Sequence, residues 1–100
     1  MIIRSGFNVY PAEVEAVLNA HAAIVQSAVV GRAVEGNEEV VAFVQLLPGA
    51  DVGPADLIEY AGRNLAAYKR PCEIIVMDSL PAGSTGKILK HRLKEALQRA

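Results

Sequence analysis

Two apolar, β-branched stretches flanking a short polar one constrain this fold more than any other feature of the sequence. Ile24 to Val30 is rich in valine and isoleucine and reads as a strand. Gly31 to Asn37 reads as a polar turn containing Gly36, and Glu38 to Leu47 reads as a second strand carrying Val40, Val41, Phe43, Val44 and Leu46. Two strands joined by so short a loop pair most simply as an antiparallel hairpin. Pro48-Gly49 then closes the segment.

Helical periods lie on either side. Pro11 suits the first turn of a helix, where its missing N–H costs nothing. Glu13 and Glu15 follow, where the helix dipole favours acids. Val14, Val17 and Leu18 mark one buried face, and the helix is expected to end near Ala20 or His21. Tyr10 is a poor cap, so this start must lean on other contacts. A second helix opens around Asp51 to Pro54, with an apolar stripe of Leu57, Ile58, Ala61 and Leu65, and Tyr68-Lys69-Arg70-Pro71 ends it. Ile74 to Met77 reads as a third buried strand and Leu80 to Gly86 as a loop. The last helix is expected from about Leu89 to Gln98, with Leu89, Leu93, Ala96 and Leu97 inward. Met1 to Ile3 is a short β segment broken by Ser5-Gly6. The sum is one α+β domain: a small sheet of about three main strands with helices packed against it.

Length and composition exclude several classes. One hundred residues make one small domain, too short to include a dinucleotide-binding domain of about 150 residues. The longest apolar runs fall far short of the roughly 20 residues of a membrane span, and no signal peptide is expected from Met1-Ile2-Ile3-Arg4. Cys72 is the only cysteine. It rules out a disulfide framework, fits a cytoplasmic setting and reads as a small core residue. His21 and His91 stand too far apart to suggest a metal site. Charge is unevenly spread: residues 1–60 carry two bases against eight acids, and residues 61–100 carry eight bases against three acids. The basic half could face an anionic partner, or its charges could simply be solvated helix faces. Lys90-His91-Arg92-Leu93-Lys94 lacks the interleaved aromatics of a nucleic-acid surface, so no nucleic-acid partner is expected.

Gly83-Ser84-Thr85-Gly86-Lys87 carries the most chemistry. Glycines let backbone approach a ligand, Ser84 and Thr85 offer hydrogen bonds, and Lys87 offers a flexible cation for phosphate or carboxylate. A P-loop is excluded, because Pro81 holds the place of its first glycine and Ile88 the place of its magnesium-binding hydroxyl. Instead, Leu80-Pro81-Ala82-Gly83-Ser84-Thr85-Gly86-Lys87-Ile88-Leu89-Lys90 resembles the last motif of the AMP-forming acyl-CoA synthetases and related adenylate-forming enzymes. The segment Ile3-Arg4-Ser5-Gly6-Phe7-Asn8-Val9-Tyr10-Pro11-Ala12-Glu13-Val14-Glu15 resembles the motif just past the interdomain hinge of the same family. Tyr68-Lys69-Arg70-Pro71 resembles its Tyr-Lys-x-Pro segment. The resemblance covers nearly the whole chain, with the motifs in family order. Many relatives have a second glycine or a small residue where Phe7 stands.

The resemblance implies a C-terminal mobile domain that begins just after the hinge residue, without the large N-terminal adenylation domain. The full-length enzyme would be a carboxylic acid:CoA ligase using ATP with magnesium and then coenzyme A, and this chain alone would be inactive. By the resemblance, Lys87 is the adenylation lysine, with Ser84, Thr85 and Gly86 forming its loop. Arg4, Ser5, Gly6 and Phe7 would line the channel for the pantetheine arm of CoA. Lys69 and Arg70 could meet CoA phosphates or be solvated surface. No metal ligands are implied in this domain. Glu13 and Glu15, at i and i+2, point to different sides of the helix and read as structural. The alternative is a stand-alone interaction or regulatory domain of the same fold, with Lys87 unused.

Overall fold

A computed structural model describes residues 1–99. In chain order the elements are β1 (Ile2–Arg4), β2 (Phe7–Val9), α1 (Pro11–Asn19), β3 (Ile24–Val34), β4 (Asn37–Leu46), α2 (Pro54–Asn64), a 3₁₀ turn (Ala67–Lys69), β5 (Glu73–Met77) and α3 (Lys90–Arg99). β3 and β4 pair antiparallel and β5 adds parallel to β4, giving the order β3-β4-β5. A parallel neighbour cannot be reached by a tight turn, so α2 makes the crossover. β1 and β2 form a separate two-stranded sheet. The expected α+β architecture holds, and no helix among the described residues is long and apolar enough to cross a membrane.

Strand alternation builds two cores. Val29, Val40, Ala42, Val44 and Ile74 face α1 and α2, where they meet Val14, Leu18, Leu57, Ala61 and Leu65. Ala28, Val30, Val41 and Phe43 face the other way, onto Leu80 and Leu93 with Ile75, Met77, Ile88 and Leu97 packed around them. β4 is thus covered on both faces, which is why Val40 to Val44 reads as an unbroken apolar run.

Some local expectations need correction. β3 runs on to Val34, so Gly31 lies in the strand and only Glu35-Gly36 turns the chain. The polar residues there pair across strands: Arg32 stands opposite Glu39 at 3.2 Å and also meets Glu73 at 2.7 Å. Cys72 is exposed rather than in the core. It precedes β5 at this polar end of the sheet, 3.6 Å from Arg32 Nη2. Partial burial, then Glu39, pushes its thiol above the ordinary value. Ile58 sits on the flank of α2 and is exposed. Ala96 is exposed too, because its methyl lines an open groove beside Phe43, Ile75 and Met77 instead of closing onto the sheet.

α1 starts with Pro11 and no side-chain cap, as Tyr10 led us to expect. α2 is capped at its start by Gly53, whose N–H donates to the Asp56 carboxylate at 2.9 Å, a carboxylate at the positive end of the helix dipole.

Candidate functional site: two loops at opposite ends of one hairpin

The Lys87 loop is a small hairpin. Gly83 and Lys87 pair through backbone (Gly83 N–H to Lys87 carbonyl, 2.9 Å), Leu89 N–H donates to Pro81 at 2.8 Å, and Ala82 bridges Ile88. Gly86 N–H donates to Gly83 at 2.9 Å, which places Ser84 and Thr85 at the exposed tip. Gly86 has φ +81° with nothing within 4 Å of a Cβ built there. Conformation, rather than space, calls for glycine at this bulge position. Lys87 is exposed and, among the described residues, no carboxylate pairs with it. It lines an open groove of about 760 Å³ with Glu15, Gln26, Ser27, Gly86 and His91. An unpaired cation on a hydrogen-bonded turn beside such a groove is suited to an anion.

The base of this loop is fixed from α1. Glu15 accepts from Val29 N–H on the free edge of β3 at 2.8 Å and pairs with Lys90 Nζ, at the start of α3, at 2.7 Å. Glu13, on the other side of α1, pairs with Lys69 at 2.8 Å. The two acids do face different ways and have structural partners. Much of the apparent charge asymmetry is therefore internal, since acids of the first half meet bases of the second.

The Ser5-Gly6 turn joins β1 to β2, with Arg4 opposite Phe7. Ser5 has φ +51° and Gly6 φ +82°, the pair of left-handed residues that a tight two-residue hairpin needs. Among the described residues Ser5 is the one non-glycine in that region, a conformation costing about 1–2 kcal/mol for an L-residue. Phe7 stacks on Tyr68 with centroids 4.7 Å apart. Arg4 Nη1 lies 3.1, 3.2 and 3.4 Å from the carbonyls of Ala67, Tyr68 and Arg70. Arg4 therefore ties the hairpin to the 3₁₀ turn. Lys69 sits 5.5 Å from the Tyr68 ring centroid, and its bond to Glu13 raises its pKa above the ordinary 10.5. Arg70 Nε donates to Leu65 at 3.0 Å. Any phosphate recruiting Lys69 must compete with Glu13.

The structure thus brings Arg4, Ser5, Gly6 and Phe7 together with Lys69 and Arg70, and holds Ser84, Thr85, Gly86 and Lys87 apart from them. The first group lies at the tip of the β3–β4 hairpin, where Ser5 N–H donates to Asn37 and the neighbouring Ile3 N–H to Glu38. The second borders Gln26 and Ser27 at the other end of β3. Residues 26 and 34 are eight apart on that strand, so the two ends are separated by about 26 Å at 3.3 Å per residue. Sequence reading missed the contributions of Glu15, Asn37 and Glu38. The backbone N–H groups they accept from lie 14 to 35 residues away, and no local pattern marks them.

Fold and loops together define a small α+β domain that presents two distinct glycine-containing turns at opposite ends of one hairpin. Residues 13–87 match the AMP-binding enzyme C-terminal domain. The long-chain-fatty-acid–CoA ligase FadD13 of Mycobacterium tuberculosis is 39% identical over 95 residues, which cover 95% of this chain and 19% of that protein. The 2-succinylbenzoate–CoA ligase of a Geobacillus species is 40% identical over 98 residues, covering 97% of this chain and 20% of that protein. The crystal structure of ATP-bound MatB from Rhodopseudomonas palustris superposes with TM-score 0.93 at 34% identity, covering 98% of this chain and 20% of that one. The chain belongs to the family of AMP-binding enzyme C-terminal domains. It spans about one fifth of the length of these relatives.

Proposed function

We propose that this chain is the mobile C-terminal domain of an AMP-forming carboxylic acid:CoA ligase and serves both half-reactions with different loops. The observation that carries this reading is the separation of the two turns. Turns that border opposite ends of one strand, about 26 Å apart along it, do not both reach one small reaction centre at once, so the domain rotates between two poses.

In the first pose Lys87 enters the site formed by a large N-terminal domain. A carboxylate oxygen of the substrate attacks the α-phosphorus of ATP, the bond to the bridging oxygen breaks, and pyrophosphate leaves. Negative charge gathers on the transferring phosphoryl group, and the Lys87 ammonium stabilises it electrostatically. Ser84, Thr85 and Gly86 hold the lysine's backbone in the turn that aims it. In the second pose the Ser5-Gly6 turn lines the passage for the pantetheine arm. The CoA thiol gives up its proton and attacks the acyl carbon, and AMP departs. Gly6, with no Cβ, lets backbone lie close to that thin chain. We assign the magnesium that accompanies ATP to groups of the large domain together with the phosphates of ATP. The acid is chosen in that domain too, which accords with relatives named for substrates as different as long-chain fatty acids and 2-succinylbenzoate. ATP and CoA as co-substrates fit a cytoplasmic setting.

The test is Lys87→Ala in the full-length enzyme, with the half-reactions measured separately. Adenylation is expected to fall by about a hundredfold or more, the usual loss for one electrostatic group in a transition state. Thioester formation from preformed acyl-adenylate should change little. Equal loss of both half-reactions refutes the role given to Lys87.

A further inference from the structure

We propose that Asn37, at the tip of the β3–β4 hairpin, is a positioning residue for the thioester-forming step, because it holds the Ser5-Gly6 turn in its strained left-handed shape. The inference rests on the reading of that turn as part of the CoA passage.

β1 and β2 have no backbone ladder to the main sheet. Side chains of β4 make the connection instead. Asn37 Oδ1 accepts from Ser5 N–H at 2.6 Å, and Asn37 Nδ2 donates to Ser5 Oγ at 3.4 Å. One residue on, Glu38 Oε1 accepts from Ile3 N–H at 2.9 Å. Glu38 reaches there by crossing Gly31, where a Cβ would stand 2.6 Å from Glu38 Oε2. One N–H of β1, that of Ile3, and one of the turn, that of Ser5, are therefore gripped by successive side chains of β4.

The two grips differ in consequence. Glu38 holds a residue of regular strand. Asn37 holds Ser5, whose φ of +51° is unfavourable for a residue with a Cβ. Nothing in Ser5-Gly6 itself selects that shape as strongly as Asn-Gly or Asp-Gly would. Asn37 meets both the amide and the hydroxyl of Ser5, so its contacts favour this turn over alternatives in which Ser5 relaxes. Without it the turn samples other shapes, and the fraction of enzyme ready to admit pantetheine falls. The Lys87 loop, at the far end of β3, makes none of these contacts.

The experiment compares Asn37→Ala, Asn37→Asp and Gly6→Leu in the full-length ligase. Adenylation is followed by pyrophosphate release, and thioester formation by CoA-dependent discharge of preformed acyl-adenylate. Asn37→Ala should lower kcat/KM for CoA by about threefold to tenfold, the range that one hydrogen-bonding side chain commands, with adenylation unchanged. Asn37→Asp retains an acceptor for Ser5 N–H and should restore most of the loss. If Gly6→Leu impairs thioester formation but Asn37→Ala does not, the turn's role stands and the role of Asn37 is overturned. If Asn37→Ala lowers both half-reactions equally, or Asn37→Asp fails to rescue, Asn37 is merely structural and the proposal fails. If Gly6→Leu leaves thioester formation intact, the reading of the turn falls and the proposal with it.

Discussion

Replacing Glu15 by alanine should destabilise this domain far more than removing the lysine it pairs with. The Glu15 carboxylate does two things: it accepts from Val29 N–H at 2.8 Å and meets Lys90 Nζ at 2.7 Å. Val29 is fully buried and its N–H points away from β4, on the free edge of β3. Leaving such a donor without an acceptor costs about 1–3 kcal/mol. The ion pair contributes much less, because the Lys90 side chain is 40% exposed and screened pairs of this kind give about 0.2–1 kcal/mol. Glu15→Ala should therefore cost about 2 kcal/mol and Lys90→Ala at most about 1 kcal/mol. For a domain of this size, each kcal/mol moves Tm by about 4–8 °C. Glu15→Ala should thus lower Tm by about 8–16 °C, and Lys90→Ala by no more than about 8 °C. Glu15→Gln, which keeps an acceptor oxygen, should fall near Lys90→Ala. Urea titration of the chain checks this, with m-values required to stay constant. Equal losses for Glu15→Ala and Lys90→Ala would refute the reasoning and make the ion pair the dominant contact.

Three further outcomes are expected. Leu93 is 1% exposed and anchors α3 on the second face of the sheet, so Leu93→Ala should cost about 2–5 kcal/mol by chemical denaturation; a loss below 1 kcal/mol would mean that the face repacks without it. Gly31→Ala should displace Glu38 from Ile3 N–H at a cost of about 1 kcal/mol, and in a Glu38→Ala background that cost should largely vanish; an unchanged cost would place the clash elsewhere, against Ile2 Cγ1 at 3.3 Å. The Lys69–Glu13 contact raises the lysine's folded pKa above 10.5, so the stability it adds is fully present below that value and lost as pH rises through the folded pKa. The stability difference between the wild-type chain and Lys69→Met should accordingly hold through neutral pH and shrink in the alkaline range, and a difference that grows with pH would contradict the assignment.

Residue pattern alone determined the elements and their class. The β-branched runs specify two strands because only a pleated, buried surface packs such side chains well. The spacing of Val14 and Leu18, and of Leu57, Ala61 and Leu65, specifies helical faces. Lys87 in its glycine-flanked loop, and Gly6 in its turn, were likewise legible, because a local motif reports local backbone geometry. Where such reading erred, local polarity misled it: Gly31 to Asn37 looks like a turn until Arg32, Glu39 and Glu73 are seen to satisfy one another across three strands. Cys72 looks like core until the end of the sheet is located. Tertiary structure alone decided that Glu15 caps an edge N–H, that Asn37 grips Ser5, and that Arg4 holds the carbonyls of the 3₁₀ turn. It also placed the two turns at opposite ends of one hairpin. Each of these depends on groups brought together across 14 to 66 residues. Their proximity is a property of how sheets and helices pack, and no periodicity along the chain encodes it.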